Sequence, residues 1–228
     1  MIKNISNLGD AAIYCDFGSE VNETINTNVI NYFSHLSRLI KEDKIIGITN
    51  LTPSYNKLIV SFDLTITNYK NIKNLLENLI ISKNIEKNNK KIQIPVCCDE
   101  RYGLDFERLI KKLNIKKDEI LKSYFTREYF CYMTGFIAGM PFLGDLKTNI
   151  RCDRLETPRV NVPKGSVGIT EQFANIYTFE SPGGWNIIGN TPRVIFDSSK
   201  ESNPNLINPG DVITFEQITK DQYSNYNE

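Results

Sequence analysis

The sequence predicts an α+β chain in two parts, and three observations carry that expectation. Within residues 1–90 the apolar spacing switches between period two and period three-to-four, in the order strand, helix, strand, strand, helix. Residues 106–124 hold two further short helical patterns. From Thr157 onward short apolar runs alternate with Gly and Pro turns, and no long helical pattern returns.

In the first part, Ala11–Phe17 is short and apolar-rich, as a first strand is. Asn22 precedes Ile25, Val29, Phe33, Leu36 and Ile40, spaced three and four apart, which predicts an amphipathic helix. His35, the only histidine, lies beside that stripe, so any Ser-His-Asp or Cys-His mechanism within the chain would have to use it. Its place argues against one. Ile45–Leu51 and Lys57–Phe62 read as strands around the turn residues Thr52-Pro53-Ser54. Ile72, Leu75, Leu76 and Leu79 mark a second helix, and a strand at Lys91–Val96 would complete a split βαβ. That is the ferredoxin-like plan, with both helices on one face of an antiparallel sheet. No motif with chemistry lies in this part, which reads as a packing or docking domain. The run Lys83–Lys91, broken by Glu86 and asparagines, reads as a solvated connector, giving domains 1–90 and 91–228.

In the second part, Phe106, Leu109, Ile110 and Leu113 are helically spaced and Asn114 is a stop. Lys117–Tyr124 forms a second short helix with Asp118 and Glu119 at its positive end. Glu128–Thr134 is aromatic and strand-like. Gly135–Leu146 is a largely apolar segment that either wraps a pocket or connects a hairpin. Val167–Ile169, Ile176–Phe179, Ile187–Ile188, Val194–Phe196 and Val212–Phe215 are strand-sized, and Pro209-Gly210-Asp211 is a turn. Thr219–Glu228 is polar and predicted to fray. The sum is a β-barrel or sandwich carrying a pair of helices.

Composition removes several functions. Lys plus Arg and Asp plus Glu number 27 each, so the basic excess of a nucleic-acid partner is missing. No apolar run reaches membrane-spanning length, and MIKNISNLGD lacks the apolar core of a signal peptide, which predicts a cytoplasmic protein with no membrane partner. Cys15, Cys97, Cys98, Cys131 and Cys152 are odd in number and scattered, so reduced thiols are expected rather than a disulfide framework or a zinc site. Neither GxxxxGK[ST] nor GxGxxG occurs.

What chemistry the chain carries concentrates in Arg154–Pro192, which holds four of the nine prolines and the only tryptophan. Pro182-Gly183-Gly184 predicts a sharp turn whose N–H groups approach a ligand, with Trp185 as a flat wall beside it. The plainer reading is a Gly-rich barrel corner plugged by Trp185.

The runs TPRVNVPKGSVGI, ESPGGWNIIGNTP and NPGDVITF, in that order, resemble the KipI / PxpB family, the B-type subunits of 5-oxoprolinase, also called allophanate hydrolase subunit 1. YMTGFIAGMPFLGDL and GDAAIYCDFG are similar to that family's upstream segments, so the resemblance runs from about Gly9 to Phe215. It implies a ferredoxin-like N-terminal domain followed by a cyclophilin-like β-barrel. It also implies one member of a hydrolase assembly, working with a KipA-like (C-type) protein and a LamB/YcsF-type (A-type) protein. Together these open 5-oxo-L-proline to L-glutamate at the expense of ATP, by phosphorylation of the lactam oxygen and attack of water. The ATP is expected on a partner or at the subunit interface, and no metal ligand set is expected in this chain.

Such a site has to hold a carboxylate, stabilise an oxyanion and exclude stray water. Arg159 is the candidate carboxylate or phosphate clamp and Glu180 the candidate general base. Lys164 with the backbone of Gly165 and Ser166 is a candidate anion holder. Ser181, Pro182, Gly183, Gly184 and Trp185 form the expected wall of a pocket or interface. The chain departs from the family pattern at Ala138 and Met140, at Asn190 in place of arginine, at Tyr124 in place of a frequent histidine, and at Ala174-Asn175 in place of a frequent Thr-Gly. Two other readings follow from the same resemblance. One is a KipI-like inhibitor that binds a sporulation histidine kinase through the barrel. The other is a subunit of an allophanate-type amide hydrolase.

Overall fold

The computed structural model of the chain describes residues 1–81 and 89–226, so most of the connector expected at Lys83–Lys91 lies outside the described residues. The chain divides into two compact units, Met1–Asn88 and Asn89–Glu228.

The first unit is built from β1 (Asn4–Asn7), β2 (Ala12–Asp16), α1 (Glu23–Lys41), β3 (Ile48–Pro53), β4 (Lys57–Phe62) and α2 (Tyr69–Asn78). The strands form one antiparallel sheet in the order β1-β2-β4-β3. Both helices start on asparagine caps: Asn22 accepts the Ile25 N–H at 2.9 Å and Asn68 accepts that of Asn71 at 3.1 Å. Alternate residues of the sheet, Ile13, Cys15, Leu58 and Val60, pack against Val29 and Leu36 of α1 and Ile72 and Leu76 of α2.

The edge beside β2 is not taken by Lys91–Val96. It is taken by β1, a hairpin partner of β2 whose NISN sequence carries a single apolar residue. Lys91–Val96 belongs to the second unit, where Ile92, Ile94 and Val96 face that unit's core and seven consecutive residues pair in parallel with the last strand.

The second unit runs β5 (Lys91–Cys97), α3 (Phe106–Leu113), α4 (Lys117–Phe125), β6 (Glu128–Thr134), β7 (Pro141–Gly144), β8 (Arg159–Val162), β9 (Ser166–Thr170) and β10 (Phe173–Ile176). It ends with β11 (Ser181–Gly183), β12 (Asn186–Asn190), β13 (Val212–Ile218) and α5 (Lys220–Ser224). Seven strands close into a barrel in the order β10-β7-β6-β13-β5-β12-β9, and β10 pairs with β9 to complete the ring. Its interior is filled by Ile94, Val96, Leu143, Val167, Ile169, Ala174, Ile176, Ile188 and Ile213, with Tyr124 and Leu109 of the helices closing it. Tyr124, Tyr129 and Phe215 stack within 5.4 Å of one another there. β8 and β11 form a separate two-stranded sheet.

Several local expectations change. Gly135–Leu146 contains β7, which pairs with β6, so the segment is a hairpin. Val194–Phe196 is no strand: only Phe196 forms a single bridge, to Asn205. Pro182-Gly183-Gly184 is not a sharp turn, because Ser181–Gly183 is extended and pairs with β8. Thr219–Asn225 does not fray. Thr219 accepts the Gln222 N–H and the Gln222 side chain accepts that of Thr219, a capping box that starts α5. All five cysteines are free and buried. Among the described residues no helix is long and apolar enough to cross a membrane.

The first unit offers a direct test. Asn26, fully buried on α1, donates from Nδ2 to the carbonyls of Ser54 (3.1 Å) and Tyr55 (2.8 Å), tying the helix to the β3–β4 turn. Asn26→Ala withdraws a buried donor from both carbonyls and should lower stability by about 1–3 kcal/mol in urea denaturation.

Candidate functional site

The site grows from Asp105. It precedes α3 at the N-cap position, yet its carboxylate makes no capping bond to its own helix. Oδ1 accepts from Arg159 Nη2 at 2.6 Å and Oδ2 accepts the Ile187 N–H at 2.6 Å. The Asp105 N–H in turn donates to the Ile187 carbonyl at 3.0 Å. One buried side chain therefore joins the start of α3, strand β8 and strand β12. A charge this buried is tolerable because it is paired and fully hydrogen-bonded.

Arg159 stands opposite Gly183 in the β8–β11 pair. A Cβ on Gly183 would sit 2.1 Å from the Tyr177 hydroxyl, so only glycine lets β11 lie this close to that ring. Tyr177 packs with Met140, Val162 and Ile187 in a small apolar cluster on the barrel's outer face, joined by Ile137 and Phe142. Burial pushes its phenol pKa up, and the Asn175 carboxamide, Arg154, the Trp185 backbone and Arg159 pull it partway back. Trp185 is 8% exposed and meets Phe142 edge-on, with ring centroids 5.7 Å apart. A neighbouring layer is locked by Arg108. It donates to Asn186 Oδ1 and, at 3.2 Å, to the Arg154 carbonyl, while Asn186 Nδ2 donates to the carbonyls of Asp153 and Ile169, each at 3.0 Å.

The sequence-predicted residues divide. Arg159, Ser181, Gly183, Gly184 and Trp185 are brought together around Tyr177 and Asp105. Pro182 is exposed on β11. Glu180 is exposed in the segment before β11, and its carboxylate is not among the groups gathered on Asp105.

Lys164-Gly165-Ser166 is a structural turn rather than an anion cradle. The Gly165 N–H donates to the Tyr177 carbonyl at 2.7 Å and that of Ser166 to Pro163 at 3.2 Å, so both are spent inside the fold. Asn190 secures this turn: Nδ2 donates to the Lys164 carbonyl at 2.9 Å and Oδ1 accepts the Tyr223 hydroxyl at 2.8 Å. Of the other departures, Met140 is buried beside Tyr177, the Ala138 carbonyl accepts the Thr178 hydroxyl at 2.6 Å, and Tyr124 lies in the barrel core.

Asp105, Tyr177 and Arg108 were not singled out in the sequence. Asp105 before an apolar helix reads as a cap, Tyr177 as strand filler, and Arg108 as one cation on a helix face. Among the described residues no group of three His, Cys, Asp or Glu could hold a metal ion.

Asp105 carries the clearest mutational consequence. Asp105→Ala strands Arg159 and the Ile187 N–H and should cost about 3 kcal/mol or more. Asp105→Asn, which keeps the shape, should cost less, and urea denaturation of the two variants checks the order.

The chain matches the model of the carboxyltransferase domain, subdomain C and D, over residues 3–207. It is 31% identical to the B subunit of 5-oxoprolinase from Bacillus subtilis, over 98% of this chain and 96% of that one. The crystal structure of TTHA0988 superposes with a TM-score of 0.80 at 26% identity. It covers 92% of this chain, and this chain spans only 40% of that longer one. The Kluyveromyces lactis urea amidolyase shares the fold, with a TM-score of 0.73 at 19% identity over 96% of this chain and 15% of that one. The chain belongs to the carboxyltransferase subdomain C and D family and, within it, to the KipI / PxpB group that its motifs resemble.

Proposed function

We propose that this chain is the B subunit of an ATP-dependent 5-oxoprolinase, which works with a KipA-like and a LamB/YcsF-type partner to hydrolyse 5-oxo-L-proline to L-glutamate. The observation that carries the reading is the end-to-end likeness to the Bacillus subtilis protein, which leaves almost no part of either chain unmatched. In this reading the first unit is a ferredoxin-like domain whose fourth strand is supplied by β1, and the barrel is of the cyclophilin-like kind. The protein works in the cytoplasm as part of a hetero-oligomer.

The Lys164–Ser166 turn does not fit a triphosphate. The Gly165 and Ser166 N–H groups already have partners, and no P-loop sequence occurs. We therefore assign ATP to a partner or to an interface completed by one, and no step is placed on this chain through it. What this chain contributes is a guanidinium held in place. With Nη2 on Asp105, Arg159 presents its remaining N–H groups in a fixed direction, suited to a carboxylate. The Arg159 side chain is 28% exposed, so the guanidinium is open to solvent on one side.

Membership of an allophanate-type amide hydrolase is the second reading, favoured by the shared fold of the urea amidolyase. Both are tested by reconstituting the chain with its co-purifying partners and following ADP release with 5-oxoproline and with allophanate. The expected result is 5-oxoproline-dependent release from the full assembly and none from this chain alone. Full turnover by the isolated chain would refute the division of labour. A preference for allophanate would replace the substrate. A co-purifying histidine kinase without substrate-stimulated ADP release would make the chain a KipI-like inhibitor.

A further inference from the structure

Helix α5 is five residues long, too short to persist on its own in water, and none of its residues is buried. Of residues 219–226 only Tyr223 and Tyr226 are even half-buried. The capping box closes the first turn on itself and does not reach the barrel. Among the described residues, the side-chain contacts that fasten α5 to the rest of the unit run through Tyr223. Its hydroxyl donates to Asn190 Oδ1 at 2.8 Å, and its ring lies against that of Tyr102 with centroids 4.5 Å apart. Open space borders the helix on both sides. One groove of about 1170 Å³ includes Gln93, Pro95, Asp221 and Gln222, and another of about 600 Å³ includes Cys97, Asp118, Thr219 and Lys220.

Two features lie behind that single fastening. The first is Cys97. Ile94, Val96 and Cys98 face the barrel core, so Cys97 points out of the barrel, yet it is only 1% exposed. Tyr223 is its neighbour: burial pushes the phenol pKa up, and Tyr102 and Cys97 add to that. The second is the Lys164–Ser166 turn. Asn190 Nδ2 donates to the Lys164 carbonyl, the Thr191 N–H donates to the Gly165 carbonyl at 2.9 Å, and the Gly165 N–H donates on to the Tyr177 carbonyl. Asn190 Oδ1 lies 2.5 Å from where a Cβ of Gly165 would stand, so the turn and the carboxamide fit this closely only with glycine. Contacts therefore run from α5 through Asn190 to the backbone of Tyr177. The arginine of the family pattern at this position could not serve, because a guanidinium has no acceptor for the Tyr223 hydroxyl.

We infer that α5 is a latch with two positions, docked on Asn190 or released, and that its release acts on the Lys164–Ser166 turn. Docked, Tyr223 covers Cys97 and completes the hydrogen bonding of Asn190. Released, it uncovers Cys97 and leaves Asn190 Oδ1 without its partner, so the turn and the Tyr177 backbone it holds become looser. The barrel stays closed in both positions, because the pairings of β5 with β13 and of β9 with β12 do not involve α5. Release gives up one hydrogen bond and one ring contact, far less than unfolding of the unit, so it is a local event of its own. The latch thus links the C-terminal end of the chain to the face that carries Tyr177 and Arg159. It does not depend on what that face binds.

The thiols supply the reporters, since all five are free and buried. The full-length chain is treated with 5,5′-dithiobis(2-nitrobenzoate) in native buffer, and the modified residue is identified by mass spectrometry. Static exposure would put Cys98 and Cys152, each 5% exposed, ahead of Cys97. The latch predicts the reverse order, with Cys97 reacting first. Tyr223→Phe keeps the ring and deletes the hydroxyl, and should speed Cys97 about fivefold, the effect of one hydrogen bond. Tyr223→Ala removes both anchors and should speed it at least about tenfold, with the circular dichroism unchanged. Hydrogen exchange over residues 163–167 should rise in Tyr223→Ala while that of β13 does not. Cys97 reacting only together with the other four thiols makes release part of global unfolding and overturns the latch. A Cys97 rate that both variants leave unchanged overturns it as well. Faster Cys97 with unchanged exchange over 163–167 refutes the action on the turn. Should Tyr223→Ala fail to fold, the order of the thiols in the wild type and the Tyr223→Phe rate and exchange decide. No substrate enters the test, so its failure leaves the proposed activity untouched.

Discussion

The carboxylate of Asp105 is where three distant stretches of the second unit meet: the start of α3, the Arg159 strand and the backbone of Ile187. An ionised carboxylate taken out of water costs several kcal/mol, and only a complete set of partners offsets that. The set here is complete, and each member is held by something else. Ile187 is fixed in the barrel by its pairing with Gly168, and Arg159 by its pairing with Gly183. Through Asp105 the separate β8–β11 pair is tied to the closed barrel by one strong contact.

That arrangement sets the electrostatics of the neighbouring face. With Nη2 committed, the Arg159 guanidinium is oriented without being neutralised on every side, because Nη1 keeps no partner. Met140, Val162, Tyr177 and Ile187 surround the region with apolar surface, where an unspent donor is worth more than it is in water. The nearby Arg108–Asn186 layer has the opposite character. Its donors and acceptors are matched inside the protein, so it braces the fold. Arg159 and Arg108 thus differ in how many of their N–H groups already have partners.

Asn190 shows how a departure from a family pattern is absorbed. An arginine there would extend a charge, whereas this asparagine uses both ends of its amide, holding the Lys164 turn with one and Tyr223 of α5 with the other. The C-terminal segment, polar enough to suggest fraying, is ordered partly through that contact and partly through its own capping box. Tyr124 is absorbed differently. It is core, stacked on Tyr129 and Phe215.

Local pattern was enough for what depends on local physics. The periodicity of α1 to α4, the alternation in β5 and β6, the reduced cysteines and the residue runs of the family could all be read along the chain. Arg159 and Trp185 also stand out along the chain, because Arg in a Gly- and Pro-rich strand region and a lone Trp are unusual by type. Strand β1 could not be read in this way, since its four residues hold one isoleucine and its evidence is a pairing partner rather than a pattern. Nor could the allegiance of Lys91–Val96, because an alternating strand suits either sheet until the seven-residue parallel pairing with β13 decides it. The same limit applies to the site. Asp105 is an ordinary polar residue in sequence, a plausible helix cap. What sets it apart is the set of hydrogen bonds made after residues 82 positions apart, Asp105 and Ile187, have been brought together. Satisfaction of a buried polar group is a property of the packed interior, so only the tertiary structure could decide it.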